Sequence, residues 1–233
     1  MKKILAFLMC MALLVSGCSG TLGGEKLNVN SDEMQFAQPQ AGDKVAIITT
    51  SEGVIKVRLF EDLAPKSVNN FIFLAQSGYY NNVTFHRAIE DFLIQAGSPD
   101  GSTNGGTSAW GLEFEDEFSD LLHHYNGALS MANHGEDTNG SQFFFVTSPI
   151  GQLDSAKEEQ MSRAGWRSRV IDAYKQAGGL PALDYRYTVF GQIYEGLDVA
   201  YSISRAKTDE NDRPKKDIVI ESVEIQTVEQ TTE

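Results

Sequence analysis

Residues 45–59 read VAIITTSEGVIKVRL. Residues 45–50 are rich in β-branched side chains, Ser-Glu-Gly at 51–53 is typical of a tight turn, and apolar and basic residues alternate over 55–59. Alternation with a period of two indicates a strand that has one buried face. The stretch therefore predicts an antiparallel hairpin at the start of a folded domain.

Further β-prone runs follow along the chain, at residues 92–96, 128–132, 142–146, 188–193 and 218–225. Helical patterns are few among them, and the first is opened by Pro65 and ended by Gly78. A parallel α/β fold would need more helices between its strands. The pattern predicts a mainly β domain that is a closed barrel or a sandwich, because closure removes exposed strand edges.

The composition is acidic. The 233 residues include 19 Lys and Arg against 32 Asp and Glu, which gives a formal net charge of -13. Binding to nucleic acid needs basic residues that neutralise phosphates, and docking to an anionic membrane needs them too. We therefore expect neither a nucleic-acid partner nor membrane binding through surface charge.

The first residues resemble a secretory leader. Lys2 and Lys3 precede an apolar run over residues 4–15, which is too short to span a bilayer as a helix. Residues 15–18, Val-Ser-Gly-Cys, resemble the lipobox of bacterial lipoproteins, in which the cysteine is lipidated. The alternative is an ordinary signal peptide with an incidental cysteine.

Four segments follow from this interpretation. We predict a lipoprotein signal peptide over residues 1–17, lipidated Cys18 with a flexible tether over 18–43, a folded domain over 44–226 and a polar tail over 227–233. The only other cysteine, Cys10, would leave with the signal. Catalysis by cysteine and cysteine-ligated metal sites are therefore excluded for the domain.

Two groups of motifs carry a family resemblance. Phe-His-Arg at residues 85–87 precedes FLIQAG at 92–97, and SMAN at 130–133 precedes TNGSQFF at 138–144. This order resembles the signature of cyclophilin-type peptidyl-prolyl cis-trans isomerases, and supporting matches lie at 104–106, 114–117, 183–184 and 188–191. The resemblance covers about residues 44–226. It implies a closed eight-stranded antiparallel β-barrel capped by two helices, with no cofactor and no metal.

The chemistry of such an enzyme follows from the prolyl bond. Delocalisation of the nitrogen lone pair gives a rotational barrier of about 18–20 kcal/mol. In the twisted transition state the lone pair returns to nitrogen, so a fixed hydrogen-bond donor there lowers the barrier. The resemblance assigns this role to Arg87, whose guanidinium is always charged. The resemblance also implies that Gln95 either binds a substrate carbonyl or orients Arg87.

The resemblance also implies a substrate pocket. Its proline-gripping part would contain Phe92, Leu93, Phe144 and Leu183, with Tyr187 at the rim where many members have histidine. The groove for the preceding residues would be lined by Ala132, Asn133 and Gln142.

The sequence lacks the motifs of two hydrolase classes, the metal hydrolases and the triad hydrolases. The histidines are His86, His123, His124 and His134, and none belongs to a His-Glu-x-x-His motif of a metal hydrolase. Because His123 and His124 are adjacent, we expect them on opposite faces of a strand. Ser141 does not lie in Gly-x-Ser-x-Gly, the motif of triad hydrolases.

Two features depart from the family pattern. Ala182 stands where members that bind cyclosporin usually have tryptophan, so we expect weak binding of that drug. Residues 150–181 form an insertion in which Trp166, Val170, Tyr174 and Ala177 follow helical spacing, which predicts one amphipathic helix. This helix either packs on the barrel near the pocket, or shapes the choice of client and docks a partner.

The leader, tether and domain together resemble the lipoprotein cyclophilins of Gram-positive bacteria. We expect a monomeric isomerase, anchored by lipid on Cys18, that acts on proline-containing segments of exported proteins at the outer face of the cytoplasmic membrane. The alternative is a proline-peptide-binding chaperone or surface adhesion scaffold in which turnover is not essential. A solute-binding lipoprotein is disfavoured because the chain is short for two lobes.

Overall fold

The computed structural model describes residue 29 and residues 31–230. The predicted signal peptide, Cys18 and the end of the predicted tail at residues 231–233 lie outside the described residues. Within the described part of the chain, no helix is both long and apolar enough to cross a membrane.

The strands form one antiparallel sheet, in the order β3-β9-β1-β2-β8-β6-β7-β5-β4. They are β1 (Lys44–Thr50), β2 (Gly53–Leu59), β3 (Val83–Thr84), β4 (Arg87–Ile89), β5 (Leu93–Ala96), β6 (Ala128–Met131), β7 (Phe143–Val146), β8 (Val189–Glu195) and β9 (Val219–Thr227). The predicted hairpin is the pair β1 and β2, in which Thr50 lies opposite Gly53. The mainly β fold class is confirmed.

The two edges of this sheet belong to one stretch of chain. β3 and β4 stand at opposite ends of the strand order, yet only Phe85 and His86 separate them. The Phe85 amide donates to the Ile218 carbonyl at 2.9 Å, and the His86 amide donates to the Gln95 carbonyl at 3.0 Å. One strand is thus broken where it passes from one edge to the other. This break explains why the described sheet has nine strands where eight were expected.

Alternation along β7 separates an interior core from a smaller outer cluster. Phe143 and Phe145 pack into the interior, while Phe144 between them packs outside with Leu93 and Val189. This is the period-two geometry of a strand. Helices α1 (Pro65–Gln76) and α4 (Leu197–Ser204) bury apolar faces in the same interior core, in agreement with the two expected capping helices.

The insertion contains two helices, so the prediction of a single helix is wrong. Helix α2 (Ser155–Arg163) ends before Gly165, whose φ of +84° is unfavourable for other residues, and α3 (Ser168–Ala177) follows. Trp166 lies in the connection between them. Val170, Tyr174 and Ala177 do form the buried face of α3.

Residues 33–37 were expected to be flexible tether, and for them that expectation is wrong. A short 3-10 helix (Met34–Phe36) places the Gln35 amide inside the domain, where its Nε2 donates to the His123 carbonyl at 2.8 Å and to Gln192 Oε1 at 2.9 Å. Phe36 packs on the Tyr125 ring at 4.8 Å between centroids. Buried hydrogen bonds and ring packing therefore hold this segment, which hydropathy alone does not reveal.

Candidate active site

Three predicted site residues form a row across adjacent strands. Arg87 of β4 lies opposite Gln95 of β5, and Gln95 lies opposite Phe144 of β7. Directly opposed residues of a sheet point to the same face. Strand register therefore brings Arg87, Gln95 and Phe144 together on the outer face, although 57 residues separate the first from the last in the sequence.

An open cavity of about 440 Å³ lies over this row. Nine of the ten predicted catalytic and substrate-binding residues line it, and Gln142 lies beside it. The lining consists of Arg87, Phe92, Leu93, Gln95, Thr103, Asn104, Ala132, Asn133, His134, Phe144, Leu183 and Tyr187.

The floor of the cavity is apolar. Leu93 and Phe144 are 5% and 3% exposed, and the Tyr187 ring meets Phe144 edge to face at 5.5 Å between centroids. Phe92 and Leu183 pack against the same cluster. Such a surface suits a small apolar ring and excludes water from it.

The polar side of the cavity presents a cation. The Arg87 side chain is 36% exposed, and its Nε lies 3.6 Å from the carboxylate of Asp212 on a neighbouring loop. The guanidinium thus supplies hydrogen-bond donors to a cavity that has an apolar floor.

Gln142 occupies a supporting position. Gln95 Nε2 donates to Gln142 Oε1 at 2.9 Å, and Gln142 Nε2 donates in turn to the carbonyls of Thr103 and Gly105. This chain of amides ties Gln95 to the loop that forms one side of the cavity. Gln142 lines an adjoining cavity, together with Ala132.

The Asn133 side chain braces the opposite wall. Its Nδ2 donates to Asp116 Oδ1 at 3.2 Å and to the Arg186 carbonyl at 3.1 Å. Asp116 also accepts hydrogen bonds from Asn139 Nδ2 and from the Asp137 amide. The side-chain amide of Asn133 is therefore engaged within the protein.

A buried carboxylate behind the pocket was missed from the sequence. Asp184 Oδ2 accepts from His123 Nδ1 at 2.7 Å and from the Tyr174 hydroxyl of α3 at 2.9 Å, while Oδ1 accepts from the amide and the Nδ1 of His124. Burial alone would raise the pKa of Asp184, but the hydrogen bonds from the two histidines outweigh it and lower that pKa.

This cluster corrects the expectation for the histidine pair. His123 and His124 lie in a loop, and both rings bind the same carboxylate, so they do not occupy opposite faces of a strand. The His124 ring also stacks on Phe144, with 5.9 Å between centroids and 12° between planes. Across residues 29 and 31–230, no three His, Cys, Asp or Glu side chains are placed to hold a metal ion.

Thr103, Asn104 and His134 also line the cavity without having been predicted. Asn104 lies in the Asn-Gly-Gly turn and His134 directly follows the SMAN motif. Proximity to those motifs was the signal available in the sequence.

Comparison with known proteins agrees with the geometry. The family model described as cyclophilin type peptidyl-prolyl cis-trans isomerase/CLD matches residues 44–225. A protein of Staphylococcus saprophyticus, named as a peptidyl-prolyl cis-trans isomerase, is 44% identical over 185 residues, which cover 79% of this chain and 93% of that protein.

A longer relative carries a second activity in its name. A Streptococcus pyogenes protein named as a bifunctional phosphatase/peptidyl-prolyl cis-trans isomerase is 45% identical over 207 residues. The match covers 86% of this chain and 43% of that protein, so this chain spans less than half of its length.

Solved structures show the same fold. The crystal structure of a cyclophilin-type peptidyl-prolyl cis-trans isomerase from Cryptosporidium parvum is 31% identical, with a TM-score of 0.65 over 80% of this chain and 99% of that one. A second structure of the Cryptosporidium protein was determined in the presence of the dipeptide Ala-Pro, and its TM-score is 0.64.

Proposed function

The chain belongs to the cyclophilin-type peptidyl-prolyl cis-trans isomerases, and from this premise we propose that it assists the folding of exported proteins by isomerising their prolyl bonds. The observation that carries the proposal is the position of Arg87, a permanent donor that lines the same cavity as the apolar side chains of Phe92, Leu93 and Phe144. The solved relative in the presence of Ala-Pro supports proline peptides as ligands.

The mechanism needs two parts of the site. The apolar floor of Phe92, Leu93 and Phe144 holds the proline ring while the remainder of the peptide rotates about the bond. Arg87 donates to the prolyl nitrogen when its lone pair localises in the twisted state. Because that acceptor exists only in the transition state, the interaction lowers the barrier without stabilising the ground state.

Gln95 positions the reacting groups. Its Nε2 is held by Gln142, which fixes the amide plane beside Arg87 across the β4–β5 pair. Lowering the barrier by about 5 kcal/mol would shorten an isomerisation time of tens of seconds to roughly ten milliseconds.

The role of Arg87 is tested by NMR exchange spectroscopy on a short proline peptide. We expect Arg87→Ala to lower kcat/KM by about 100-fold or more, the usual effect of losing one preorganised donor. Arg163→Ala is the matched control, since Arg163 is an exposed arginine on α2, and its rate should match that of the unaltered protein. Equal rates for Arg87→Ala and the control would refute the assignment.

A binding function without essential turnover is the second candidate. The apolar pocket favours it as well, because a chaperone or surface scaffold would grip proline segments in the same way. The isomerase and the binding function differ in their need for Arg87, because binding of a proline segment does not require its donor. If Arg87→Ala loses isomerisation but still prevents aggregation of a proline-rich client as well as the unaltered protein, the binding function is favoured.

We further propose that the domain works at the outer face of the cytoplasmic membrane, held by lipid on Cys18. The support is the basic and apolar leader that ends in Val-Ser-Gly-Cys at residues 15–18. Radiolabelled palmitate should enter the protein in its native host, and Cys18→Ala should abolish both the label and membrane retention. A Cys18→Ala protein that stays in the membrane fraction would refute the anchor.

A further inference from the structure

A second cavity, of about 700 Å³, adjoins the proline pocket. The two share Asn133, His134 and Tyr187 as a common wall. A polypeptide whose proline occupies the first cavity can therefore place a neighbouring residue at the second across this wall. At about 3.3–3.6 Å per residue, side chains within about three residues of the proline come within reach of it.

Exposed aromatic rings form one side of this second cavity. Phe118 and Tyr185 are 45% and 51% exposed, and their rings meet edge to face at 6.2 Å. The Tyr185 hydroxyl donates to Asp120 Oδ1 at 2.8 Å, and the Tyr185 backbone has a φ of +60°. That conformation costs a residue other than glycine about 1–2 kcal/mol. The hydrogen bond to Asp120 restrains the Tyr185 ring, and about half of the residue remains exposed to solvent.

The surrounding charge is negative. Residues 113–137 contain seven Asp and Glu and no Lys or Arg, and Asp116 and Glu136 of this segment line the cavity. Among the ion pairs of the described residues, none involves Asp116 or Glu136. Arg186 on the facing wall supplies a single positive charge. A negatively charged guest would meet more repulsion here than attraction.

We propose that this cavity is a subsite for a lysine or arginine side chain of the client, placed within about three residues of the proline. Aromatic faces attract cations through their quadrupole, and the attraction grows when the site is partly desolvated. Carboxylates at the rim add Coulombic attraction that salt screens. The inference rests on the proposed isomerase function and names a substrate class for it.

The test uses a series of proline peptides. Each contains one lysine, placed at one of the positions from the third residue before the proline to the third residue after it. Each lysine peptide is paired with glutamate and norleucine versions. We expect the lysine version to exceed the glutamate version in kcat/KM by about three- to tenfold at one or two of these positions. The preference should shrink at high salt.

Two variants assign the preference to the cavity. Glu136→Gln removes a rim charge without changing shape, and Tyr185→Ala removes the aromatic face; each should reduce the lysine preference to less than twofold. Glu159→Gln, an exposed glutamate on α2, is the matched control and should retain it. Absence of a lysine preference at every position, or one that survives in both variants, would overturn the proposal.

Failure of this proposal remains distinct from failure of the proposed function. A peptide of alanines around one proline carries no side chain for the subsite, so its turnover by the unaltered protein reports the isomerase alone. The same peptides are titrated calorimetrically, so the lysine preference is also measured as an affinity ratio. An affinity ratio near one in the unaltered protein would overturn the subsite even if turnover is absent.

Discussion

The two walls of the proline pocket are built in different ways. On one wall, Arg87, Gln95 and Phe144 stand on three neighbouring strands, and backbone pairing sets their relative positions. On the other wall, Leu183 and Tyr187 flank a loop that is held through the buried carboxylate of Asp184. We conclude that the wall carrying Arg87 and Gln95 depends on strand register, whereas the opposite wall depends on a few side-chain hydrogen bonds.

The largest expected effect comes from removing that carboxylate. Asp184→Ala leaves two histidines and a tyrosine hydroxyl without their acceptor in a buried place, so we expect the free energy of unfolding to fall by about 3 kcal/mol. Chemical denaturation followed by fluorescence measures this. Asp172→Ala, an exposed aspartate on α3, is the control and should change stability by less than about 0.5 kcal/mol. A loss below about 1 kcal/mol for Asp184→Ala would contradict the comparison.

Removing a single donor to the same carboxylate should have a smaller effect. Tyr174→Phe deletes only the hydroxyl that α3 supplies, and hydrogen bonds to charged groups contribute about 1.5–3 kcal/mol. We expect a loss of about 1.5–2 kcal/mol of stability, while kcat/KM on a short peptide stays within about twofold. A large loss of rate with unchanged stability would show that the inserted helix acts on the chemistry instead.

On the wall formed by Arg87, Gln95 and Phe144, which we call the strand wall, a substitution should lower the catalytic rate more than the stability. Gln95→Ala removes one amide beside Arg87 but leaves the backbone pairing of β4 and β5 intact. We expect kcat/KM to fall by about tenfold, equivalent to about 1.4 kcal/mol, with less than about 1 kcal/mol of lost stability. Gln160→Ala on the exposed face of α2 is the control. A stability loss that matches the loss in rate would mean that this wall is not held by register.

The effect that is smallest at neutral pH is the loss of folding stability on acidification, which we assign to His86. Burial first, and then the charge of Arg213, lower the pKa of His86 from 6.5 to about 4. Between these pH values His86 is protonated in the unfolded chain but neutral in the folded protein. The free energy of unfolding therefore falls as pH drops from about 6.5 to 4. Above pH 6.5 the effect is absent.

Comparison of two proteins isolates the contribution of His86. Denaturation at pH 7.5 and at pH 5 should show a larger loss for the unaltered protein than for His86→Phe, which cannot take up a proton. Identical losses in both proteins would contradict the role of His86. Because the residue sits at the break between β3 and β4, the test also probes the strand wall.

The sequence predicts what is local or repeated. The hairpin follows from alternation in residues 45–59, and the gathering of Arg87, Gln95 and Phe144 follows from motifs that occur in a known order. What it misses depends on contacts between distant segments. Gln35 is held by a hydrogen bond to Gln192, which lies 157 residues away in the sequence. Asp184 binds two histidines that lie 60 and 61 residues before it. Spacing carries no information about such pairs.

The order of the strands in the sheet also sets when its ladders can be completed. Its last strand, β9, pairs with β1 near the start of the domain and with β3, so the final residues complete both flanking ladders. A chain that emerges in order, from a ribosome or through a translocation pore, has no partner for β1 on that side until about residue 227 is free. Pairings of such long sequence separation form slowly. The β1–β9 and β3–β9 ladders therefore cannot be completed before β9 itself has emerged.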